Sequence, residues 1–505
     1  MSRDHWFSSS IRYEGRCKAE FISPRAILEG IAQVLFDDRG ACKLSFDVEY
    51  IEGTFRHNSQ CMKITVNCDE GIFSSNGRIE ITNFTTGGNI NELFMKLEFS
   101  IIASVFEGKC YDKPAYWVVP LVNFHASFID MNDDLLTHPL IRENITTDIR
   151  YGVIAFKIMD EQTYIDRLPN YRRYLALLNG RRRACMITSI IIGGVGGRRV
   201  AHIEDILKWF DFRIGYLLSF ICGNDVGLPW FEIRSASGIL IRRFHLRFIA
   251  GNFHKGYVVI DGLHGRSLGE FLTNSLASGA FDESNIKIIL QDVILAGQHD
   301  RSIEDKCSNL FRAYSRLISD YKLRSINLLK QLKTGNRGKV QRKINELAKA
   351  LNEIAESSDS EKQGKIIRKI RGKLANITVG DNYGKSLIDL MKKFDICDLE
   401  IVKKHYEHKP RADKRKWEDV ISAYRGTVVH EGFFRFYEDT RKHDRKDVFR
   451  IFRHLHDIII RIIFKILKYE GTYISPLKKW IEGMPVDWIK SETRAEDLGY
   501  IDEDK

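Results

Sequence analysis

Between residue 15 and about residue 135, apolar and polar side chains alternate in short runs such as Lys43-Leu-Ser-Phe-Asp-Val-Glu-Tyr50, Met62-Lys-Ile-Thr-Val66 and Arg78-Ile-Glu-Ile-Thr82. A period of two marks a strand with one buried face. Ser75-Asn-Gly77 and Thr86-Gly-Gly88 read as turns between such runs, so residues 1–135 are expected to form a β-rich N-terminal domain of antiparallel strands. The one helical signal there is Asn91-Glu-Leu-Phe-Met-Lys-Leu-Glu98. Residues 136–282 mix the two periods. Ile203 to Cys222 places Ile206, Leu207, Phe210, Ile214, Leu217, Leu218 and Ile221 on one helical face, with Gly223-Asn224 as a stop. Pro229-Trp-Phe-Glu-Ile-Arg234, Gly238-Ile-Leu-Ile-Arg-Arg-Phe-His245 and Tyr257-Val-Val-Ile260 read as strands, which makes this an α+β middle domain.

Beyond residue 283 the strands give way to helical periodicity up to about residue 490: Ile286 to Leu295, Ile303 to Leu332, Gln341 to Ala355, Lys362 to Ile377, Ser386 to Phe394, Lys414 to Tyr424 and Val448 to Tyr469. In the last of these, Ile451, Phe452, Leu455, Ile458, Ile459, Ile462 and Ile466 form a stripe that must be buried. A basic stretch at about 333–377 reads as a solvated helical hairpin inserted into the bundle, and residues 491–505 as a mobile acidic tail. The expected architecture is therefore multidomain α+β, with an all-α helical bundle at 283–490, and no repeat of fixed period is visible.

Composition narrows the class. The 505 residues carry 78 Lys and Arg against 67 Asp and Glu, a formal charge of +11, which favours polyanionic partners. Nine Cys are scattered at 17, 42, 61, 68, 110, 185, 222, 307 and 397 without a C-x-x-C pair, the pattern of reduced thiols. The opening Met1-Ser-Arg-Asp-His-Trp6 is not apolar, and Arg450, Arg453, Asp457, Arg461 and Lys465 interrupt the most apolar helix. A cytoplasmic protein without a membrane partner is expected.

The best candidate for chemistry is Ala423-Tyr-Arg-Gly-Thr-Val-Val-His-Glu-Gly432, where Arg425 and His430 stand five residues apart at the end of an amphipathic helix. Metal-free cleavage of an RNA phosphodiester needs a proton carrier near neutral pKa and fixed positive charge on the phosphate. An imidazole titrating near pH ~6.5 suits the first role and a guanidinium the second. With 15 His in the chain, roughly one such spacing arises by chance. The structural alternative is an ordinary Arg followed by a helix-terminal His on the negative end of the dipole, with Gly432 as cap.

Context adds to the spacing. Ile421-Ser-Ala-Tyr-Arg-Gly-Thr-Val-Val-His-Glu-Gly432 resembles the R-x4-6-H signature of HEPN domains, including the apolar residue before His and the Gly soon after. Ile286-Lys-Ile-Ile-Leu290 and Ser302-Ile-Glu-Asp-Lys-Cys-Ser-Asn-Leu-Phe-Arg-Ala-Tyr314 are similar to the opening helices of the Apea-like branch. More loosely, Leu218-Ser-Phe-Ile-Cys-Gly-Asn-Asp-Val-Gly-Leu-Pro-Trp230 and Ile241-Arg-Arg-Phe-His245 resemble the region that accompanies such domains. The resemblance covers residues 285–470 and, more weakly, 140–280. It implies a metal-independent endoribonuclease of antiviral defence or toxin type that acts as a homodimer or higher oligomer, with Arg425 and His430 as catalytic residues and no cofactor. An abortive-infection effector cutting cellular RNA, tRNA among the candidates, and triggered by a viral protein through its N-terminal region is what the resemblance suggests. Gly426 departs from the family pattern, where a polar residue usually follows the Arg. The alternative is a non-catalytic HEPN module that binds nucleic acid or protein.

Five residues of ideal helix advance about 500°, which leaves Arg425 and His430 about 140° apart. One phosphate meets both only if the helix breaks at Gly426 or a second subunit completes the site. Glu304 is an auxiliary candidate whose simpler role is a solvated residue in a first helical turn. Arg247 to His254 and Arg450 to His456 are decoys at similar spacing. Gly193-Gly-Val-Gly-Gly-Arg-Arg199 lacks the third Gly of a dinucleotide fingerprint and reads as a turn. The run Lys362 to Lys373 is either a phosphate-binding face or a solvated one. His405, His408, His443 and His454 lie among Lys and Arg, and no metal site is expected from them.

Overall fold

The computed structural model describes residues 11–37, 41–56, 59–76, 79–89, 92–124, 154–158, 161–167, 175–176, 178, 186–192, 213–246, 254, 256–260, 265–283, 285–321, 323, 334–357, 363–368, 370, 383–407, 416–432, 434, 445–478, 483–490 and 493–498. The chain divides into two compact units, Met1–Ser302 with Ile463–Val486, and Ile303–Ile462 with Asp487–Lys505.

The first unit is built on a sheet of fourteen strands among the described residues. They are β1 (Ile11–Phe21), β2 (Ala26–Phe36), β3 (Cys42–Gly53), β4 (Cys61–Cys68), β5 (Gly71–Asn76), β6 (Ile79–Asn89), β7 (Glu92–Ile101), β8 (Ala103–Gly108), β9 (Pro114–Val122), β10 (Ile154–Ile158), β11 (Glu161–Arg167), β12 (Met186–Ile192), β13 (Trp230–Ser235) and β14 (Leu240–Leu246). Their order is β10-β11-β12-β9-β13-β14-β8-β5-β4-β1-β2-β3-β7-β6, and neighbours are antiparallel. The expected alternation holds in detail: in β2, Ala26, Leu28, Ala32, Val34 and Phe36 are buried while Glu29, Ile31 and Leu35 face outward. The boundary expected at 135 does not divide the strands. β13 and β14 insert between β9 and β8, and Trp230 of β13 packs edge-on to Phe36 of β2 at 5.7 Å in a core shared with β1 to β8. Antiparallel pairing between segments more than a hundred residues apart leaves no local trace in a sequence.

Charge is sunk into this sheet. Glu232 on β13 binds Arg234 at 2.6 Å and Arg243 on β14 at 2.7 Å, and Arg243 also donates to the Tyr13 hydroxyl. Burial pushes the Glu232 carboxyl up, but the two guanidinium groups outweigh it and hold the group below its usual range.

Four helices belong to this unit among the described residues: α1 (Gly215–Cys222), α2 (Gly265–Ala277), α3 (Ala280–Glu283) and α4 (Ile286–Gly297). The expected stop after Cys222 is Gly223 at φ 64°, whose N–H bonds to the Ser219 carbonyl. A Cβ there would lie 2.2 Å from the Tyr257 carbonyl oxygen, so both conformation and space demand glycine. The helix α4, expected within the C-terminal bundle, groups with the sheet unit.

Several local readings are corrected. Residues 91–98 were expected to be helical, but Glu92–Ile101 is strand β7, because Leu97, Phe99 and Ile101 all fall on its buried side. Thr86-Gly-Gly88 lies inside β6, paired with Met95, Phe94 and Leu93. Tyr257 to Ile260 is not a strand; Val259 instead bonds through its N–H to Ile221 and through its carbonyl to Ile474. Strands also recur after 283, as the hairpin β15 (Thr472–Ile474) and β16 (Gly483–Pro485). The acidic tail is not wholly mobile, since Ala495–Leu498 forms a 3-10 turn with Leu498 fully buried. One apolar side chain among charges is too little to show as a pattern.

The second unit is helical: α5 (Ile303–Asp320), α6 (Thr334–Glu356), α7 (Tyr383–Lys393), α8 (Asp398–Glu407), α9 (Trp417–His430) and α10 (Arg445–Ile466), the last passing into the first unit at Ile463. The expected stripe of α10 is buried from Ile451 to Ile462, with Ile466 half-buried, and from Ile458 to Phe464 the helix is buried on all sides. Arg461 falls in that stretch, so its charge must be paired inside the protein. Among the described residues no helix is long and apolar enough to cross a membrane.

Candidate active site

Helix α9 presents Trp417, Val420, Ile421, Tyr424 and Val428 to the core, at spacings of three, one, three and four. Glu418 and Asp419 in its first turn complement the positive end of the helix. At the other end, Glu431 and Gly432 donate to the Thr427 carbonyl at 2.8 and 3.2 Å, with Gly432 at φ 81°. The cap expected at Gly432 is therefore present.

Arg425 borders the buried stripe of α9 and is itself half-buried. Its guanidinium carbon stands 4.6 Å from the centroid of the Tyr383 ring, at the start of α7. A cation this close to an aromatic ring is attracted to it without using its hydrogen-bond donors. Tyr383 is in turn held edge-on by Phe311 of α5 at 5.9 Å. The register of α7 on α9 is set one residue later. Gly384 donates to the Ser422 hydroxyl at 3.0 Å, Ser422 donates to the Glu418 carbonyl at 2.8 Å, and a Cβ on Gly384 would sit 2.2 Å from the Glu418 carbonyl oxygen. Only a residue without a side chain allows that approach.

The Nε of Arg425 is buried and has no hydrogen-bond partner among the described residues. A buried donor left unpaired costs about 1–3 kcal/mol, more when it belongs to a charged group.

His430 is the last residue of α9, and its side chain lies outside the described residues. The helix runs unbroken through Gly426, around whose Cβ position nothing among the described residues stands within 4 Å. A break at Gly426 is therefore not the way Arg425 and His430 are brought together, and they stay about 140° apart around one helix. The open space at Gly426 also means that packing does not demand glycine there.

Glu304, in the first turn of α5, accepts a hydrogen bond from the Phe434 N–H at 3.5 Å. Phe434 packs edge-on to Tyr424 at 5.8 Å, so Glu304 acts on the segment that follows His430.

Beneath the start of α9 lies a buried polar network that sequence reasoning missed. Asp398, the first residue of α8, receives His454 Nε2 at 2.9 Å, Arg461 Nη1 at 3.0 Å and a further bond from Arg461 Nη2. Arg461 Nε donates to Asp457 at 2.8 Å, and all four side chains are fully buried. The Asp398 carboxyl, pushed up by burial, is held well below its usual range by Arg461 and His454. The His454 ring stands 6.0 Å from Trp417, so the network supports the first turn of α9. The only advance signal was Arg461 inside an apolar stripe. His454, which lies among Lys and Arg in the sequence, is fully buried.

The decoys separate from this site. His456 is buried, and desolvation, aided by the charge of Lys306, pulls its pKa down to about 3. Arg450 pairs with Asp447 at 3.0 Å. Arg247, the glycine run at 193–199, and the side chains of His405, His408 and His443 lie outside the described residues. Of the basic run after Lys362, residues 363–368 are helical.

No family model, no curated protein and no solved structure matches this chain.

Proposed function

We propose that the protein is a metal-independent endoribonuclease of HEPN type, in which Arg425 and His430 act on one RNA phosphodiester across a pair of subunits. The observation that carries the reading is the half-buried Arg425 guanidinium, held 4.6 Å from the centroid of the Tyr383 ring on the same helix that ends at His430. The continuous α9 supports a paired site, because a single helix sends the two side chains in different directions. In the proposed reaction the 2′-hydroxyl oxygen attacks phosphorus, the bond to the 5′-oxygen breaks, and a 2′,3′-cyclic phosphate and a 5′-hydroxyl result. His430 takes the 2′-hydroxyl proton or supplies one to the leaving oxygen, while Arg425 neutralises the phosphorane. A cytoplasmic defence role against viruses, with cellular RNA as substrate and the sheet unit as sensor of a viral component, completes the proposal.

The test is incubation of purified full-length protein with total RNA in excess chelator, comparing wild type with Arg425→Ala and His430→Ala. Each variant should lose at least about 100-fold in cleavage rate, and products should carry 5′-hydroxyl ends. Equal behaviour of all three proteins would replace this reading with a non-catalytic binding module.

A further inference from the structure

Helix α6 carries Val340, Ile344, Leu347, Leu351 and Ile354, spaced four, three, four and three. That 3.5-residue period makes a narrow seam, the signature of a helix that pairs with another helix rather than of one laid on a globular core. Three of the five are exposed, Val340 36%, Leu347 54% and Ile354 53%, while Ile344 and Leu351 are half-buried, and among the described side chains of α6 only Ala355 is buried. Helical residues 363–368 approach at Ala355, where a Cβ on Gly364 would lie 3.2 Å from the Ala355 carbonyl oxygen, and Ile366 and Ile370 on this segment are each 50% exposed. The hairpin thus presents apolar residues from both of its limbs.

Charge along α6 names the occupant. Its first half holds Arg337, Lys339, Arg342 and Lys343 with no acid, whereas its second half holds Glu346, Glu353 and Glu356 against Lys349 alone. This polarity opposes the helix macrodipole, and within α6 Lys343 pairs with Glu346 at 2.7 Å. In an antiparallel pair of identical helices, the basic half of each lies along the acidic half of the other within a Debye length. A nucleic acid finds no continuous cationic face there, since the apolar seam and three carboxylates interrupt it.

We infer that α6 is a self-association arm, on which the α6 of a second copy packs antiparallel along the seam from Val340 to Ile354. The inference stands whether or not the protein cuts RNA.

Full-length protein is examined by light scattering after gel filtration across a concentration series. Wild type should have the mass of a dimer or an even multiple. Leu347→Glu/Ile354→Glu changes only exposed positions, so circular dichroism should be unaltered while the dissociation constant rises by about 100-fold or more. Lys339→Glu/Arg342→Glu and Glu353→Lys/Glu356→Lys should each weaken self-association. An equimolar mixture of the two should restore it by forming the mixed pair. A monomeric wild type, an unchanged mass in Leu347→Glu/Ile354→Glu, or a mixture no tighter than its components would overturn the proposal. So would RNA-dependent assembly that the Glu353→Lys/Glu356→Lys variant strengthens.

Discussion

Asp398→Asn keeps the size of a side chain that accepts three hydrogen bonds while removing its charge. The Arg461 guanidinium, 1% exposed, then keeps its bond to Asp457 but loses the Asp398 charge. Removing one partner of a buried ion pair costs about 3–5 kcal/mol, and the surviving Asp457 contact puts the expected loss near the lower figure, about 3 kcal/mol. For a unit of this size that corresponds to a fall in Tm of about 6–12 °C at pH 7, read by calorimetry of the full-length chain. The pH dependence distinguishes this mechanism from simple loss of packing. Because the folded carboxyl titrates well below its ordinary value of 3.8, its contribution is fully present above that pH and disappears as pH falls through the folded value. The stability gap between wild type and variant should be constant from pH 5 to 8 and narrow only below about pH 4. A fall in Tm under 2 °C, or a gap that persists unchanged into acid, would refute an ionic role for the network.

Two further outcomes follow from single side chains. His456→Leu should flatten the acid side of the stability curve: wild-type His456 stays neutral down to about pH 3 while the unfolded chain takes up a proton near pH ~6.5, so the variant gains about 2 kcal/mol relative to wild type at pH 5. Denaturant titrations at pH 7.5 and 5 check this, and parallel pH curves would contradict it. Gly384→Ala forces a Cβ against the Glu418 carbonyl oxygen 2.2 Å away, which should destabilise by about 1–3 kcal/mol and move Tyr383 off Arg425. If the proposed ribonuclease activity holds, the expected kinetic signature is a fall in kcat that exceeds any rise in KM, whereas loss of stability with unchanged kcat would show that the stack does not position the guanidinium.

The chain itself determined its local periods. Alternation in β2, β3 and β4, the Gly223 stop and the Ile-rich stripe of α10 were legible because each depends on neighbours within a few residues. Arg425 and His430 stand out in the sequence only as candidates by residue chemistry, and their separation of about 140° followed from helix geometry alone. What the sequence left open depended on contacts between distant segments. Strands β13 and β14 join the N-terminal sheet through backbone hydrogen bonds that any residue can make, so pairing partners are written nowhere in the local pattern. The strand at Glu92–Ile101 looked helical because its charged and apolar residues suit either period over so short a run, and only the cost of exposing Leu97, Phe99 and Ile101 selects the strand. Tyr383 came under Arg425 because Gly384 lets two backbones meet, and Asp398 found Arg461 across 63 residues because a buried charge must be paired. Folding supplied those partners; the sequence supplied only the demand for them.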